Sequence, residues 1–153
     1  MDWQMFLFST AGRIPRAKYW LALVFYAVVV VVGFICALLL ITSSSDIASV
    51  LLYVGGGLLF LLLYFSANAV AIKRLHDRDK SGWWTVAFVA LPGLLYGASN
   101  GLVTPASSSI LQIAALVLML WGLVELGGIR GTIGPNRFGD DPLGPSGAEP
   151  KGS

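Results

Sequence analysis

Residues 20–41 read WLALVFYAVVVVVGFICALLLI, an unbroken apolar run without a charged side chain. A helix needs about 20 such residues to cross a hydrocarbon core of roughly 30 Å. The run is too long for the apolar part of a secretory signal peptide, which covers about 7–15 residues. Ser43-Ser44-Ser45 follows it without a cleavage signature. The sequence therefore predicts a first membrane span that is retained.

Three further apolar stretches follow, at residues 50–72, 83–98 and 110–126. The first of them is long enough to span, and the last is at the lower limit of about 17 residues. The stretch 83–98 is broken by Pro92-Gly93, so it is either a full crossing or a re-entrant hairpin covered by protein. We predict four spans, because an even number keeps the basic residues on one side of the membrane.

The composition agrees with a membrane location. Apolar residues make up 56% of the chain and charged residues 12%, and the mean hydropathy is +0.78. Such a chain cannot cover a globule with polar surface, so its outside must face lipid. The net charge of +2 is too small to favour nucleic acid as a partner. Cys36 is the only cysteine, which excludes a disulfide or a cysteine-based zinc site within one chain.

Lysine and arginine residues decide the orientation. With four spans, all of them lie before the first span, between the second and third, or after the fourth. The two remaining loops, Thr42–Ser49 and Ser99–Ser109, contain none. Basic residues that flank spans stay in the cytoplasm. The distribution therefore predicts a multi-pass protein with both termini cytoplasmic.

The segments outside the spans complete the predicted fold. Trp3–Phe8 is mostly apolar and is expected to lie along the cytoplasmic interface, where Trp is favoured. The chain after Gly127 is rich in Gly and Pro, and residues 143–153 are predicted to be disordered. We predict an all-α membrane protein, a bundle of four transmembrane helices with a short interfacial N-terminal segment and a Gly/Pro-rich cytoplasmic tail. Residues 1–142 form its single membrane domain.

The stretch Lys73–Trp84 is the richest in polar residues and joins the second and third predicted spans. It has no spacer at either side, so its backbone is expected to turn at the membrane surface. Gly82 is predicted to take the positive φ of a tight turn, and Trp83-Trp84 belong at the headgroup level. Within the second span, Gly55-Gly56-Gly57 predicts close approach of another helix, in the same chain or in a partner.

No residue set amounts to an active site or a metal site. The residues from Asp77 onwards resemble the start of an EF-hand calcium loop, but the twelfth position of that loop is Phe88 rather than the calcium-binding Glu. His76 is the only histidine, whereas a metal normally needs about three or four ligands. Asn68 and Glu125 are shallow in their spans, which leaves no charge in mid-membrane for an ion relay. We predict no catalytic residue, no cofactor and no metal, and therefore a protein that is not an enzyme.

The tail segment Gly131–Pro142 differs from a free linker because it contains Phe138 among many turn-forming residues. Gly134-Pro135, Asn136 and Gly139 are predicted to hold a set of tight turns. The alternative is an ordinary polar tail. If the turns form, the segment can fold back towards the basic residues.

Three motifs resemble those of a bacterial inner-membrane family labelled domain of unknown function 805. They occur in the order of the family and between the corresponding hydrophobic segments. The resemblance implies a small protein of the bacterial inner (cytoplasmic) membrane, and the label of the family leaves its activity open. The motifs are Gly12-Arg13 with Arg16 and Tyr19-Trp20; Arg74-Leu75-His76-Asp77 with Ser81-Gly82-Trp83-Trp84; and Gly134-Pro135-Asn136 with Phe138-Gly139 and Asp141-Pro142.

Under the predicted topology the three motifs lie on one side of the membrane, where their polar residues can meet in one cytoplasmic plate. Our first hypothesis is a non-enzymatic module whose plate binds a partner protein or anionic lipid headgroups. The alternative is a small oligomeric channel or transporter. The expected partners are membrane lipids and a homo-oligomer or another membrane protein, with no nucleic acid. The predicted plate comprises Arg13, Arg16, Arg74, His76, Asp77, Trp83, Trp84, Asn136, Arg137, Asp140 and Asp141.

Overall fold

A computed structural model of the chain describes residues 2–42, 45–101 and 104–144, which form helices and no β-strand. The helices are α1 (Trp3–Phe8), α2 (Arg16–Ile41), α3 (Asp46–Asp77), α4 (Val86–Ser99) and α5 (Pro105–Gly128). Three of them, α2, α3 and α5, are long and apolar enough to cross a membrane, and α4 is an apolar helix of shorter length. The predicted disorder of residues 143–153 falls, from residue 145 onwards, outside the described residues.

The long helices extend beyond the apolar runs that predicted them. Helix α5 begins at Pro105, where the fixed φ of proline suits the first turn, and the side chain of Thr104 caps it by accepting from the Ser107 amide. Helix α3 continues to Asp77, so the interpretation of Lys73 as the start of a connecting loop was wrong. Charged residues can stay helical there because Lys73 and Asp77 are buried and find partners within the protein.

The directions of the helices follow from contacts at one end of the bundle, which we call the closed end. There the Ile14 amide donates to the Lys73 carbonyl (3.4 Å), and the Trp20 indole donates to the Gly127 carbonyl (3.1 Å). The start of α2 therefore meets the C-terminal ends of both α3 and α5. Helix α4 connects α3 to α5 in the chain and lies antiparallel to α5. Phe88 packs edge-on against Trp121 at 5.1 Å near the closed end of that pair.

Helix α1 is held against α3 by its backbone carbonyls. The Ser66 hydroxyl donates to the Leu7 carbonyl at 2.9 Å, and the ammonium of Lys73 donates to the carbonyls of Met5 (2.9 Å) and Phe6. The last carbonyls of a helix lack intrahelical partners, so a buried lysine is well placed to satisfy them. The predicted N-terminal segment is thus a short helix docked onto the bundle.

The opposite end of the bundle, which we call the open end, is packed more loosely. A groove of about 440 Å³ separates α2 from α3, with Val32, Cys36 and Leu52 among its lining residues. A Cβ atom added at Gly55, Gly56 or Gly57 would meet nothing within 4 Å. The close helix contact predicted for these glycines is therefore not made within the described part of the chain.

Candidate functional site

The centre of the closed end is the carboxylate of Asp77, which is shared by two arginines. Arg13 contacts its Oδ1 through Nη2 (3.1 Å) and Nε (3.2 Å), and Arg74 donates from Nη1 to Oδ2. The side chains of Asp77, Arg13 and Arg74 are 4%, 1% and 0% exposed. We call these three residues the arginine–aspartate cluster. Its buried charges are tolerated because each ion has an opposite charge within hydrogen-bonding distance.

The remaining donors of Arg13 bind the tail. Its Nη2 donates to the Thr132 carbonyl at 2.7 Å, and its Nη1 donates to the carbonyls of Gly134 (2.8 Å) and Gly139 (3.1 Å). A guanidinium has five N–H groups and no acceptor, so carbonyl oxygens are suitable partners. Arg13 thus connects the segment before α2 to α3 and to the tail.

Arg74 binds the end of α5 in the same way. Its Nε donates to the Leu126 carbonyl at 2.7 Å, and its Nη2 donates to the Ile129 carbonyl. The last turn of α5, Val124–Gly128, is π-helical, and a chain ending in this way leaves carbonyls for side-chain donors. Arg74 is therefore the buried link between α3 and α5.

The chain returns from α5 across the carboxylate of Asp77. The Thr132 amide donates to the Asp77 carbonyl at 2.8 Å, and the Thr132 hydroxyl donates to it at 3.1 Å. A Cβ atom added at Gly131 would lie 2.0 Å from Asp77 Oδ2. Only glycine lets the backbone approach the carboxylate so closely, which gives Gly131 a function that sequence reasoning missed.

The tail then forms a tight hairpin, as its turn-forming residues predict. Asn136 and Gly139 exchange backbone hydrogen bonds of 3.0 and 3.1 Å. Gly134 and Gly139 both have positive φ, at 80° and 129°. The Asn136 side chain accepts from the Phe138 amide and donates to the His76 carbonyl, both at 2.9 Å. Asn136 therefore fixes the hairpin internally and also attaches it to α3.

The ring of Phe138, the single aromatic residue of the tail, packs against the end of α3. It stacks on the His76 imidazole with ring centroids 3.8 Å apart and an angle of 5° between the planes. His76 Nδ1 lies 3.3 Å from the Gly12 carbonyl, an acceptor, so this nitrogen carries the proton in the bond. His76 therefore contacts the segment before α2 and the tail, and its role here is structural.

Other members of the predicted plate lie at the edge of the cluster. Arg137 is exposed and pairs with Asp79 at 3.1 Å. Asp79 takes the positive φ (53°) of the turn after α3, so the assignment of that φ to Gly82 was wrong. A short polar side chain tolerates this conformation, while Gly82 instead packs closely on Ile72. Asp140 is exposed and has no side-chain partner among the described residues.

Asp141 holds the two sides of the hairpin end together. Its Oδ1 accepts from the Leu143 amide and its Oδ2 from the Gly134 amide, both at 2.9 Å. These two backbone N–H groups, that of Leu143 first, hold the pKa of the Asp141 carboxyl below its ordinary value. The carboxylate thus holds the Gly134 and Leu143 amides together in an exposed part of the tail.

The two tryptophans of the predicted plate stand apart from the cluster. Trp83 is 81% exposed. Trp84 stacks on Phe88 (5.7 Å), meets Trp121 edge-on (6.0 Å), and lies 5.2 Å from the ammonium of Lys80. Trp84 therefore supports the packing of α4 on α5, and Trp83 offers a free indole surface.

Glu125 is a buried acid that the sequence placed only as a shallow polar group. Its Oε1 lies 2.7 Å from Lys80 Nζ and 3.1 Å from Arg78 Nη2. These are ion-pair distances, although neither approach has the angles of a hydrogen bond. The signal in the sequence was its position at the end of an apolar run, opposite a loop with two basic residues, Arg78 and Lys80. Glu125 anchors that loop to α5.

At the closed end, buried charged side chains bind one another and backbone carbonyls. Within the described ranges no group of three or more His, Cys, Asp or Glu side chains is placed to hold a metal ion. The donors of Arg13 and Arg74 are turned to Asp77 and to backbone carbonyls. Their guanidiniums are therefore bound within the protein, whereas Arg16, Lys18 and Arg130 at the same end are exposed.

Comparison with known proteins gives a family without an assigned activity. The sequence profile of a family described as "Protein of unknown function (DUF805)" matches residues 7–140. A protein of Escherichia coli strain K12 and its counterpart in strain O157:H7, both named uncharacterized protein YiiR, are 32% identical over 81 residues. That stretch covers 52% of this chain and 54% of each relative, so the chain spans about half the length of the curated relatives it matches. No solved structure matches the chain.

Proposed function

We propose that this chain, which belongs to the DUF805 family of unknown function, is a non-enzymatic protein of the bacterial inner membrane. Its cytoplasmic face binds anionic lipid headgroups. The observation that carries this proposal is that some cations of the closed end are bound within the protein and others are not. The guanidiniums of Arg13 and Arg74 are buried in internal bonds, whereas Arg16, Lys18 and Arg130 are exposed.

The proposal includes four membrane crossings with both termini in the cytoplasm. Helix α4 is about 21 Å long at roughly 1.5 Å per residue, which is less than the hydrocarbon core of about 30 Å. Its antiparallel course along α5 nevertheless favours a crossing over a re-entrant hairpin. Neighbouring helices and local thinning of the bilayer accommodate a short span at modest cost.

Cysteine labelling tests this topology. In a Cys36→Ser background, Ser45→Cys and Ala106→Cys should react with an impermeant thiol reagent from the periplasmic side. Ser81→Cys and Asp140→Cys should react only after the membrane is opened. Labelling of Ala106→Cys from the cytoplasm alone would contradict four crossings and favour a re-entrant α4.

Lipid is favoured over a protein partner by the position of the free cations. Arg16 and Lys18 lie in the first turn of a span-length helix, which places them at headgroup depth. Near an anionic surface each Lys or Arg contributes about 1 kcal/mol to attraction. Trp20 and Trp83 are exposed as well, and aromatic side chains are favoured at the membrane interface.

Native mass spectrometry after mild-detergent extraction tests this preference. We expect retained phosphatidylglycerol or cardiolipin in excess of their share of the membrane. A stoichiometric protein mass in place of lipid would instead assign the face to a protein partner.

The alternative of a small oligomeric channel or transporter lacks a polar route in the described part of the chain. Three clefts, of about 320, 350 and 440 Å³, are lined mostly by apolar residues. Liposomes that contain the protein should therefore pass ions no faster than empty liposomes. An ion flux that rises with the amount of protein would support the channel.

A further inference from the structure

A small polar pocket lies between the start of α2 and the return of the chain after α5. Its volume is about 140 Å³, and its lining includes Arg16 from the start of α2 and Arg130 from the returning chain. Asp77 and Asp141 contribute to the same lining. A single water occupies about 30 Å³ of liquid, so the pocket has room for a larger polar group.

The two arginines of the pocket have no internal function. Both are exposed, and neither side chain makes a hydrogen bond or ion pair with another described residue. Arg130 contributes only its carbonyl, which accepts from Arg78 Nη1 at 3.2 Å. This contrasts with the buried Arg13 and Arg74, whose guanidiniums are bound by Asp77 and by carbonyls.

The charges around the pocket favour an anion. Asp77 is shared by two buried guanidiniums and so leaves one positive charge uncompensated. Arg16 and Arg130 add two more, against the one carboxylate of Asp141. That carboxylate is already occupied by the amides of Leu143 and Gly134. A cation would meet this excess positive charge, whereas an anion would relieve it.

We infer that the Arg16–Arg130 pocket binds one phosphate group. Two guanidiniums that face a common space can each present two parallel N–H groups to phosphate oxygens, a geometry that lysine cannot reproduce. Because Arg16 is the first residue of α2, the phosphate at this depth belongs to an anionic lipid headgroup. This inference rests on the proposed lipid-binding function and names the site at which it occurs.

Lipid titration of the full chain in nanodiscs tests the assignment. Nanodiscs of phosphatidylcholine with a rising share of phosphatidylglycerol are prepared, and native mass spectrometry counts the phosphatidylglycerol that stays bound after release. Arg16→Gln and Arg130→Gln should each weaken retention about ten-fold, as expected for the loss of charge-assisted hydrogen bonds to a phosphate, and the double variant about 100-fold. Arg130→Lys should restore only part of the loss, because it keeps the charge without the planar fork.

Arg137→Gln is the matched control, since Arg137 is exposed on the same side but paired with Asp79 outside the pocket. Equal weakening by Arg137→Gln and by Arg130→Gln would overturn the pocket, because it would show a diffuse charge effect. In the same titration, inorganic phosphate should displace the lipid more than chloride does at equal ionic strength. Displacement by the two salts to the same extent would likewise overturn a phosphate-specific site.

The outcomes for the site and for the proposed function remain distinct. If the wild-type protein retains phosphatidylglycerol no better than phosphatidylcholine, the lipid-binding function fails as a whole. If it retains phosphatidylglycerol well and the double variant retains it equally well, the function stands and the Arg16–Arg130 site fails. Circular dichroism of each variant checks that the helices are intact.

Discussion

The two ends of the bundle are built by different physical means. At the closed end, charged side chains bind backbone carbonyls across four segments of the chain, and the buried residues of α2 and α3 concentrate there. At the open end, α2 and α3 are separated by an apolar groove of about 440 Å³. Lipid tails are as apolar as leucine, so apolar contacts alone give helices little reason to pack.

The difference indicates where the specificity of this fold resides. The bonds of Arg13, Arg74 and Asp77 hold the segment before α2, the end of α3 and the tail together. The apolar open end can exchange protein contacts for lipid contacts at little cost. We therefore expect substitutions at the closed end to change stability strongly, and equivalent substitutions at the open end to change it weakly.

The largest expected effect is that of Arg74→Ala. This change removes one partner of a buried carboxylate and leaves the carbonyls of Leu126 and Ile129 without their donor. Breaking a buried ion pair in this way costs about 3–5 kcal/mol of the free energy of unfolding. A titration with sodium dodecyl sulfate in mixed micelles measures the loss.

Two variants calibrate that result. Arg74→Lys should recover only part of the stability, since an ammonium cannot bridge the same set of acceptors. Arg137→Ala removes an exposed pair with Asp79 and should cost about 0–1 kcal/mol. An Arg74→Ala protein as stable as Arg137→Ala would show that the closed end is not held by its buried charges.

The next effect is that of Gly131→Ala. The added methyl group would lie 2.0 Å from Asp77 Oδ2, so either the carboxylate or the returning chain must move. Forced repacking of this kind costs about 1–3 kcal/mol in the same titration.

Gly128→Ala, three residues earlier, is the control for Gly131→Ala. Its methyl group would meet Val124 at an ordinary distance of 3.8 Å. We expect its free energy of unfolding to stay within about 0.5 kcal/mol of the wild type. If the two alanine variants proved equally stable, the return of the chain across Asp77 would not be tightly fixed.

A pair of glycines compares the ends of the bundle directly. A methyl group at Gly122 would lie 2.9 Å from the Cβ of Phe88, whereas one at Gly56 would meet nothing within 4 Å. Gly122→Ala should therefore destabilise the protein by about 1 kcal/mol, the lower end of the range for overpacking. Gly56→Ala should be neutral or slightly stabilising, by up to about 1 kcal/mol, because alanine favours the helix. Destabilisation by Gly56→Ala would reveal a partner seated on the open end.

The helices were predictable from the sequence because their signal is local. The apolar run 20–41 predicted a long helix, and the turn-forming residues of the tail predicted tight turns. The ends of the helices were less predictable, since Lys73 stays helical only because the carbonyls of α1 receive its ammonium. That contact joins residues far apart in the chain and leaves no local pattern.

The cluster shows the same limit of sequence reasoning. The motifs singled out Arg13, Arg74 and Asp77, and the structure brings the side chains of these three residues together. They did not separate these buried residues from Arg16, which is exposed. In the sequence all three arginines lie in basic segments and cannot be distinguished. Only the positions of the backbone carbonyls in the folded chain decide which guanidiniums are bound internally. Thr132 and Gly131 were missed because their roles depend on the position of Asp77.

The smallest expected effect concerns acidity at the outer edge of the closed end. The amides of Leu143 and Gly134 hold the pKa of the Asp141 carboxyl below its ordinary value, so folding favours the charged form. The stabilisation is therefore complete above the ordinary carboxyl pKa and is lost as the pH falls through the lowered value. Hydrogen exchange of the Gly134 and Leu143 amides should accelerate over that acidic range, relative to the rate expected for an unprotected amide.

Asp141→Asn should remove this dependence, while Asp140→Asn, at an exposed neighbour, should keep it. The amides next to the buried Asp77 should stay protected over the same range, because breaking the cluster requires a larger opening of the protein. If Asp141→Asn left the acid-dependent exchange unchanged, the loosening of the hairpin would have to originate in the cluster, and the closed end would open as one unit.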